Sequence, residues 1–225
     1  MKATKMWASN LSGQQPARGT WAGVVSYSGR VIVLVMQTIG QTRLFLPQEP
    51  IDIPGLCYAS EFISASEELV LIRLIEAGTW SHEFARRRQH FGMDYSKHEA
   101  GNTEPLPPWI ETIAHRIVAA GFLKRTPAHA LVNEYLPGQG IAGHKDYRPF
   151  DEVASLSLAS GCLMEFAKSG TPTRKELWLE PRSLLVLVGE ARHDWTHAIR
   201  PRLNDVVDGL KIPRCRRLSL TFRTI

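Results

Sequence analysis

The sequence predicts an α+β fold in which helices come first and short β-strands follow. Of its 225 residues, 44% are hydrophobic and 22% are charged, as in a globular domain with a core. Apolar residues recur at helical spacing up to Gly121 and alternate with polar residues beyond Ala130. Because strands and helices do not alternate along the chain, a sandwich-like arrangement is favoured over a parallel, doubly wound sheet.

Two helices are predicted before the β-rich half. Ser64 and Glu67 form an S-x-x-E capping box ahead of an apolar pattern that ends near Gly78. Pro108 opens a second amphipathic pattern, which ends at Gly121. Five strands are predicted beyond Ala130, with the sequences LVNEYL, VASLSLA, CLMEFA, SLLVLV and RLSLTF.

The net charge divides the chain into two parts. Residues 1–45 contain five of the 27 Lys and Arg residues and no Asp or Glu, so the remaining 22 basic residues equal the 22 acidic ones. We predict a basic, flexible N-terminal extension over residues 1–45 and a folded domain over residues 46–225. Met36 offers an alternative start, which would make residues 1–35 a dispensable leader. Global basicity is therefore no argument for a nucleic-acid partner.

Composition also limits the cellular setting. No apolar run approaches the length that a membrane-spanning helix needs, and no membrane association is expected. Cys57, Cys162 and Cys215 lie far apart without a CxxC pair, which argues against a disulfide framework and a thiolate zinc site. We expect a cytoplasmic, monomeric protein.

A metal site is predicted from two imidazoles and one carboxylate. His144 and Asp146 form an H-x-D triplet after the turn PGQG, and His197 follows the end of another predicted strand. Two His and one carboxylate make the facial triad of non-haem Fe(II) oxygenases, which leaves coordination positions open. Catalytic zinc sites use similar ligands, so the triad alone does not choose the metal.

The last predicted strand carries two arginines on one face. Strand alternation places Arg217, Ser219, Thr221 and Arg223 opposite an apolar face of Leu and Phe. Guanidinium groups that face the interior need anionic partners, and a dicarboxylate cosubstrate would supply them. A simple alternative is that both arginines pair with Asp or Glu of the fold. In LVNEYL, the same alternation puts Asn133 and Tyr135 on a shared face, as nearby neutral donors.

These motifs together resemble the AlkB-like branch of the Fe(II)- and 2-oxoglutarate-dependent dioxygenases. The resemblance rests on NEYLPGQGIAGHKD, SLSLAS, LVLVGEARHDWTHAI and RLSLTFR, and it covers roughly residues 46–225. It implies a double-stranded β-helix, or jelly roll, supported by helices, and an enzyme that uses Fe(II), 2-oxoglutarate and O2. It also implies that His144, Asp146 and His197 bind iron. Asn133, Tyr135, Arg217 and Arg223 would bind 2-oxoglutarate, Arg217 at the distal carboxylate and Arg223 near the carboxylate that chelates iron.

A substrate-binding segment is predicted ahead of the second helix. Cations interleave with flat rings from Arg86 to Tyr95, and the segment resembles the nucleotide-recognition lid of the family. An ordinary solvated edge with a core phenylalanine is the alternative. Arg148 stands where some nucleic-acid demethylases carry an acidic residue that reads the base, and Tyr147 beside it could line the mouth. The predicted substrate residues are Arg86, Arg88, His90, Phe91, Tyr95, Tyr147 and Arg148.

The sequence therefore predicts oxidative demethylation of alkylated nucleobases in single-stranded DNA or RNA. A 2-oxoglutarate-dependent hydroxylase or demethylase of a protein or small molecule is the second hypothesis. A nucleic-acid-binding module that keeps the fold without catalysis is the third.

Overall fold

The computed structural model describes residues 21–27, 30–36, 51–93 and 105–225. Its contacts divide the chain into two units, Met1–Glu49 and Pro50–Ile225. In the first unit, β1 (Trp21–Tyr27) and β2 (Arg30–Met36) form an antiparallel hairpin, which the sequence analysis did not anticipate. The predicted flexibility of residues 1–45 and the alternative start at Met36 stay predictions.

The second unit contains twelve strands within its described residues. They are β3 (Leu56–Ala59), β4 (Arg88–Gly92), β5 (His129–Tyr135), β6 (Ile141–His144), β7 (Val153–Leu158), β8 (Cys162–Lys168), β9 (Arg174–Leu179), β10 (Leu184–Leu187), β11 (Trp195–Ile199), β12 (Asn204–Val207), β13 (Leu210–Pro213) and β14 (Arg217–Arg223). The five predicted strands correspond to β5, β7, β8, β10 and β14.

Two antiparallel sheets form the body of this unit. The larger sheet has the strand order β3-β10-β7-β14-β5-β4, and the smaller sheet has the order β6-β11-β8-β9. Strands β12 and β13 form a separate hairpin. Apolar side chains of both sheets, among them Tyr135 and Leu185 from the larger and Phe166 and Ile199 from the smaller, pack in one cluster between them. This is the predicted jelly roll.

The helices cover the outer face of the larger sheet. Helix α1 (Ala65–Glu76) begins with the predicted capping box, in which Ser64 Oγ accepts from the Glu67 amide and the Glu67 carboxylate accepts from the Ser64 amide. Helix α2 (Pro108–Ala119) begins at the predicted proline. Their buried Leu and Ile residues pack against the outward side chains of β5, β7 and β14. The helices therefore support the sheet that carries the predicted site, as expected.

A third, short helix, α3 (Gly189–His193), links β10 to β11. No helix in the described part of the chain is long and apolar enough to cross a membrane.

Candidate functional site

A cavity of about 430 Å³ opens between the two sheets. That volume lies in the range of roughly 300–1,000 Å³ that is usual for small-molecule sites. Its lining contains every residue predicted for the metal and the cosubstrate, and part of the set predicted for the substrate. The structure thus collects side chains that the sequence spreads over more than a hundred positions.

The three predicted metal ligands converge because β6 and β11 are antiparallel neighbours. Their register places His197 opposite His144, and the two ring centres lie 4.4 Å apart. Asp146 follows β6 after one residue, and its Oδ2 lies 3.6 Å from His197 Nε2. Across residues 51–93 and 105–225, no group of three His, Cys, Asp or Glu side chains has the spacing of a metal-binding site. The three side chains therefore approach one another, but their spacing is wider than that of a metal-bound site.

Asp146 is held in the charged form that a metal ligand needs. Burial would raise the pKa of its carboxyl group, but Arg223 and then His197 outweigh burial and lower the pKa to about 2. Arg223 Nε donates to Oδ1 at 2.8 Å, and Arg223 Nη2 forms an ion pair with the same oxygen at 2.7 Å. The other oxygen, Oδ2, is buried without a hydrogen-bond partner. An unpartnered carboxylate oxygen beside two imidazoles fits a bound cation.

Both imidazoles present the nitrogen that a metal would use. Burial lowers the pKa of His197 to about 4, so its ring is neutral at pH 7. His144 Nδ1 lies 2.9 Å from the Ala142 carbonyl oxygen. Because a carbonyl oxygen only accepts, Nδ1 is the donor in this contact, which leaves Nε2 as the nitrogen that would meet a metal. The donor set therefore fits a ferrous ion.

Arg217 is a buried cation without a carboxylate partner among the described residues. Its side chain lies at the start of β14 and the residue is 2% exposed. Nη2 donates to Ser157 Oγ at 2.7 Å, whereas Nε and Nη1 have no partner. Burying an unpaired guanidinium costs several kcal/mol. The group therefore fits an anion in the cavity, and a dicarboxylate such as 2-oxoglutarate would satisfy it.

The neutral donors lie beside Arg217 because β5 pairs with β14. Tyr135 is opposite Arg217 and Asn133 is opposite Ser219 in the register of the two strands. The Tyr135 ring centre lies 5.5 Å from the Arg217 guanidinium carbon. Ser219 Oγ is hydrogen-bonded to Ser155 Oγ at 2.9 Å. The predicted polar face of β14 is thus one wall of the cavity.

The cavity lining includes part of the predicted substrate set. Strand β4 is an edge strand of the larger sheet, and strand alternation turns Arg88 and His90 towards the cavity. Phe91 lies on the opposite face, where its ring meets Trp109 edge-on at 5.7 Å, so its assignment to the substrate site is wrong. Tyr147 lines the mouth and is 54% exposed.

Arg148 does not line the cavity although it follows Tyr147. Its side chain is exposed to solvent, outside the cavity lining, so its assignment to the substrate stays a prediction. Tyr95 lies outside the described residues. Arg86 lines the cavity beside Asn133, to whose side-chain oxygen it donates.

The sequence analysis missed two residues of the site. Arg192, in α3, is 3% exposed, and its Nη2 donates to the carbonyl oxygens of Asp146, Tyr147 and Phe150 at 3.0, 2.7 and 2.9 Å. No sequence pattern points to it. His129 lines the cavity and stacks on Phe150 at 5.5 Å. The alternation of β5, which places His129 on the face of Asn133 and Tyr135, could have found it.

Comparison with known proteins shows the family. Residues 63–223 match the family model of the 2OG-Fe(II) oxygenase superfamily. Probable RNA/DNA demethylase ALKBH6 of Danio rerio is 30% identical over 204 residues, which cover 76% of this chain and 86% of that protein. The mouse tRNA (carboxymethyluridine(34)-5-O)-methyltransferase ALKBH8 is 35% identical over 172 residues, but the match spans only 25% of that protein.

A solved structure agrees on the fold. The structure of OsALKBH1 superposes with a TM-score of 0.60 at 17% identity, covering 77% of this chain and 98% of that one. The family match and the sequence relatives show a 2-oxoglutarate-dependent dioxygenase, whose family uses Fe(II), 2-oxoglutarate and O2. Within the 2OG-Fe(II) oxygenase superfamily, the chain belongs to the AlkB-like proteins.

Proposed function

We propose that this dioxygenase removes methyl groups from alkylated nucleobases in single-stranded DNA or RNA, as repair of alkylation damage or as RNA demethylation. The observation that carries the proposal is the buried, unpaired guanidinium of Arg217 in the cavity that also holds His144, Asp146 and His197. A metal triad and a buried receptor for a carboxylate, in one cavity, are the two parts that 2-oxoglutarate chemistry needs.

Each part of the site has a defined task in this proposal. His144, Asp146 and His197 would hold Fe(II), and Arg217 would bind the distal carboxylate of 2-oxoglutarate with Asn133 and Tyr135 beside it. Arg223 holds the Asp146 carboxylate, because both of its short contacts go to Oδ1. Arg223 Nε and Nη2 both contact Asp146. The predicted contact of Arg223 with the iron-chelating carboxylate would therefore come from Nη1.

When bound, Fe(II), 2-oxoglutarate and O2 supply hydroxylation of a C–H bond, with succinate and CO2 as the other products. On an N-methyl group, the product is an N-hydroxymethyl amine, which releases formaldehyde and leaves the free amine. The protein orients the methyl carbon, excludes water and fixes the charges around the cavity.

Three features support a nucleic-acid substrate. The cavity lining combines the exposed cation Lys145, and Arg88 paired with Glu83, with the exposed rings of Tyr147 and His90. Cations suit phosphates, and flat rings suit an unstacked base. The zebrafish relative is named a probable RNA/DNA demethylase. A single-stranded substrate is favoured because its bases are already free to enter a cavity.

A substrate panel tests the proposal. The full chain, with Fe(II), 2-oxoglutarate and O2, is given methylated single-stranded DNA, methylated RNA, methylated nucleosides and methylated peptides. We expect succinate and formaldehyde in equal amounts from an oligonucleotide. Turnover of peptides or nucleosides alone would favour the second hypothesis, and His144→Ala would then still abolish it. Oligonucleotide binding without succinate from any substrate would favour a non-catalytic module.

A further inference from the structure

Arg86 occupies a position that its sequence context did not suggest. Its Nε donates to Asn133 Oδ1 at 3.0 Å, and its Nη1 donates to the Gly140 carbonyl oxygen at 3.1 Å. Its guanidinium carbon lies 5.2 Å from the Tyr135 ring centre. These contacts place Arg86 among the residues that face the proposed cosubstrate, whereas the sequence had assigned it to a nucleic acid.

The bond to Asn133 decides which way the side-chain amide points. A guanidinium only donates hydrogen bonds, so the atom that it meets must be the amide oxygen. The NH2 group of Asn133, which is buried on the cavity face of β5, is therefore left to donate. A carboxylate needs donors and would be repelled by the opposite amide orientation. Arg86 thus selects the orientation that suits an anion.

The support under Arg86 is rigid. Gly140 lies so close to the end of β11 that an added Cβ would be 2.2 Å from the Ile199 carbonyl oxygen. The neighbouring Gln139 donates from Nε2 to the Ala85 carbonyl oxygen at 2.7 Å. The segment before β4 is therefore tied at two points to the turn that leads into β6 and His144.

We propose that Arg86 is a positioning residue for 2-oxoglutarate, which acts through Asn133 and ties the substrate-side segment before β4 to the cosubstrate end of the cavity. This inference rests on the proposed function only in requiring that the chain binds 2-oxoglutarate. It assigns Arg86 to cosubstrate binding and withdraws it from phosphate recognition.

Calorimetric binding of 2-oxoglutarate to the full chain, loaded with Mn(II) in place of iron, tests the inference without turnover. We expect Arg86→Met to weaken binding about tenfold, which corresponds to one charge-assisted hydrogen bond. Asn133→Ala should have a similar effect, and the double variant should be no weaker than Asn133→Ala. Arg182→Met is the matched control, because Arg182 also bridges two segments, through Glu61 and Glu68, away from the cavity.

The outcomes separate this inference from the proposed function. Absence of 2-oxoglutarate binding in the unaltered chain overturns both. If the unaltered chain binds and Arg86→Met binds equally well, only the inference is overturned. If the losses of 2-oxoglutarate affinity in Arg86→Met and Asn133→Ala add up in the double variant, the two residues act independently, and the inference is overturned. An equal loss in Arg182→Met would show a general structural effect and would also overturn it.

A second Arg86 variant and a kinetic measurement with methylated oligonucleotide also test the inference. If Arg86→Met does not fold, Arg86→Lys replaces it, because lysine keeps the charge but cannot reach both acceptors at once. We then expect about threefold weaker binding, and unchanged binding overturns the inference. An Arg86 variant with a raised KM for methylated oligonucleotide and an unchanged dissociation constant for 2-oxoglutarate would restore the phosphate-contact assignment.

Discussion

Strand β14 buries both of its faces, but burial has opposite energetic consequences on the two. Leu218, Leu220 and Phe222 are fully buried against the helical layer. Arg217 and Arg223, almost as deeply buried, face the cavity, and Arg217 keeps two unpaired nitrogens. Burial of the apolar face stabilises the fold. Burial of Arg217 on the opposite face destabilises the fold, because part of its guanidinium stays unpaired until a ligand binds. Stability and binding are therefore separable within one strand.

The largest expected effect is on the apolar face. Phe222→Ala should lower the free energy of unfolding by about 3–5 kcal/mol, because it opens a cavity between β14 and the helices. Chemical denaturation measures the change. The folded fraction should still bind 2-oxoglutarate with an unchanged dissociation constant. A large loss of affinity at retained stability would refute the separation of the two faces.

A substitution on the cavity face of β14 should show the opposite pattern, with a large effect on ligand binding and a small effect on stability. Arg217→Met should weaken 2-oxoglutarate binding about 100-fold, the loss of a buried charge-assisted contact. Since it removes an unpaired buried charge, it should leave the free energy of unfolding unchanged or raise it by about 1–2 kcal/mol. Calorimetry and denaturation on the same sample measure both quantities. Destabilisation as large as that of Phe222→Ala would contradict the comparison.

Arg192 lies outside β14 but donates to the loop that carries Asp146. A substitution of Arg192 therefore tests whether residues beyond the strand support metal binding. Arg192→Met removes the donor to three carbonyl groups of the loop that begins at Asp146. We expect about tenfold weaker binding of Mn(II), because groups that orient metal ligands typically contribute that much. Titration with Mn(II) measures it, with Arg182→Met as the control. Equal affinities in the two variants would limit Arg192 to a structural role.

The smallest effect is expected in the helical layer. Hydrogen bonding by Arg116, and then by Ser64, lowers the pKa of Glu67 from 4.5 to about 2. A lowered pKa in the folded state adds stability above the unfolded pKa, and this stability is lost as the pH falls from 4.5 towards 2. Glu67→Gln should therefore cost well under 1 kcal/mol at pH 7, since the pair is half exposed.

The difference in the free energy of unfolding between Glu67→Gln and the unaltered chain should vanish near pH 2. Denaturation at a series of pH values measures it, and 2-oxoglutarate binding at pH 7 should not change. A difference that grows on acidification would show that the sign of the linkage is wrong.

Local patterns predicted those parts of the fold and site that depend on chain periodicity. The capping box at Ser64, the proline start of α2 and the alternation of Arg217 to Arg223 are properties of a few neighbouring residues, and the structure has all three. The same alternation rule, applied to β5, accounts for Asn133 and Tyr135 on one face. The same rule also places His129 on that face, which lines the cavity.

Other parts depended on contacts between distant segments. Phe91 and His90 differ by one position, and only the pairing of β4 with β5 decides which of them faces the cavity. Arg148 follows a lining residue but lies in a loop, where alternation gives no rule. Arg86 and Arg192 act on backbone and side-chain groups that lie dozens of residues away.

The sequence by itself determined the chemistry of the donors: two imidazoles, one carboxylate and an arginine face on the last strand. These follow from residue type and the two-residue period of a strand, which require no knowledge of neighbours. Only the tertiary structure decided which charges are neutralised inside the protein. Arg223 meets Asp146 and Arg217 meets no described carboxylate, because ion pairing depends on distances that the folding of remote strands sets.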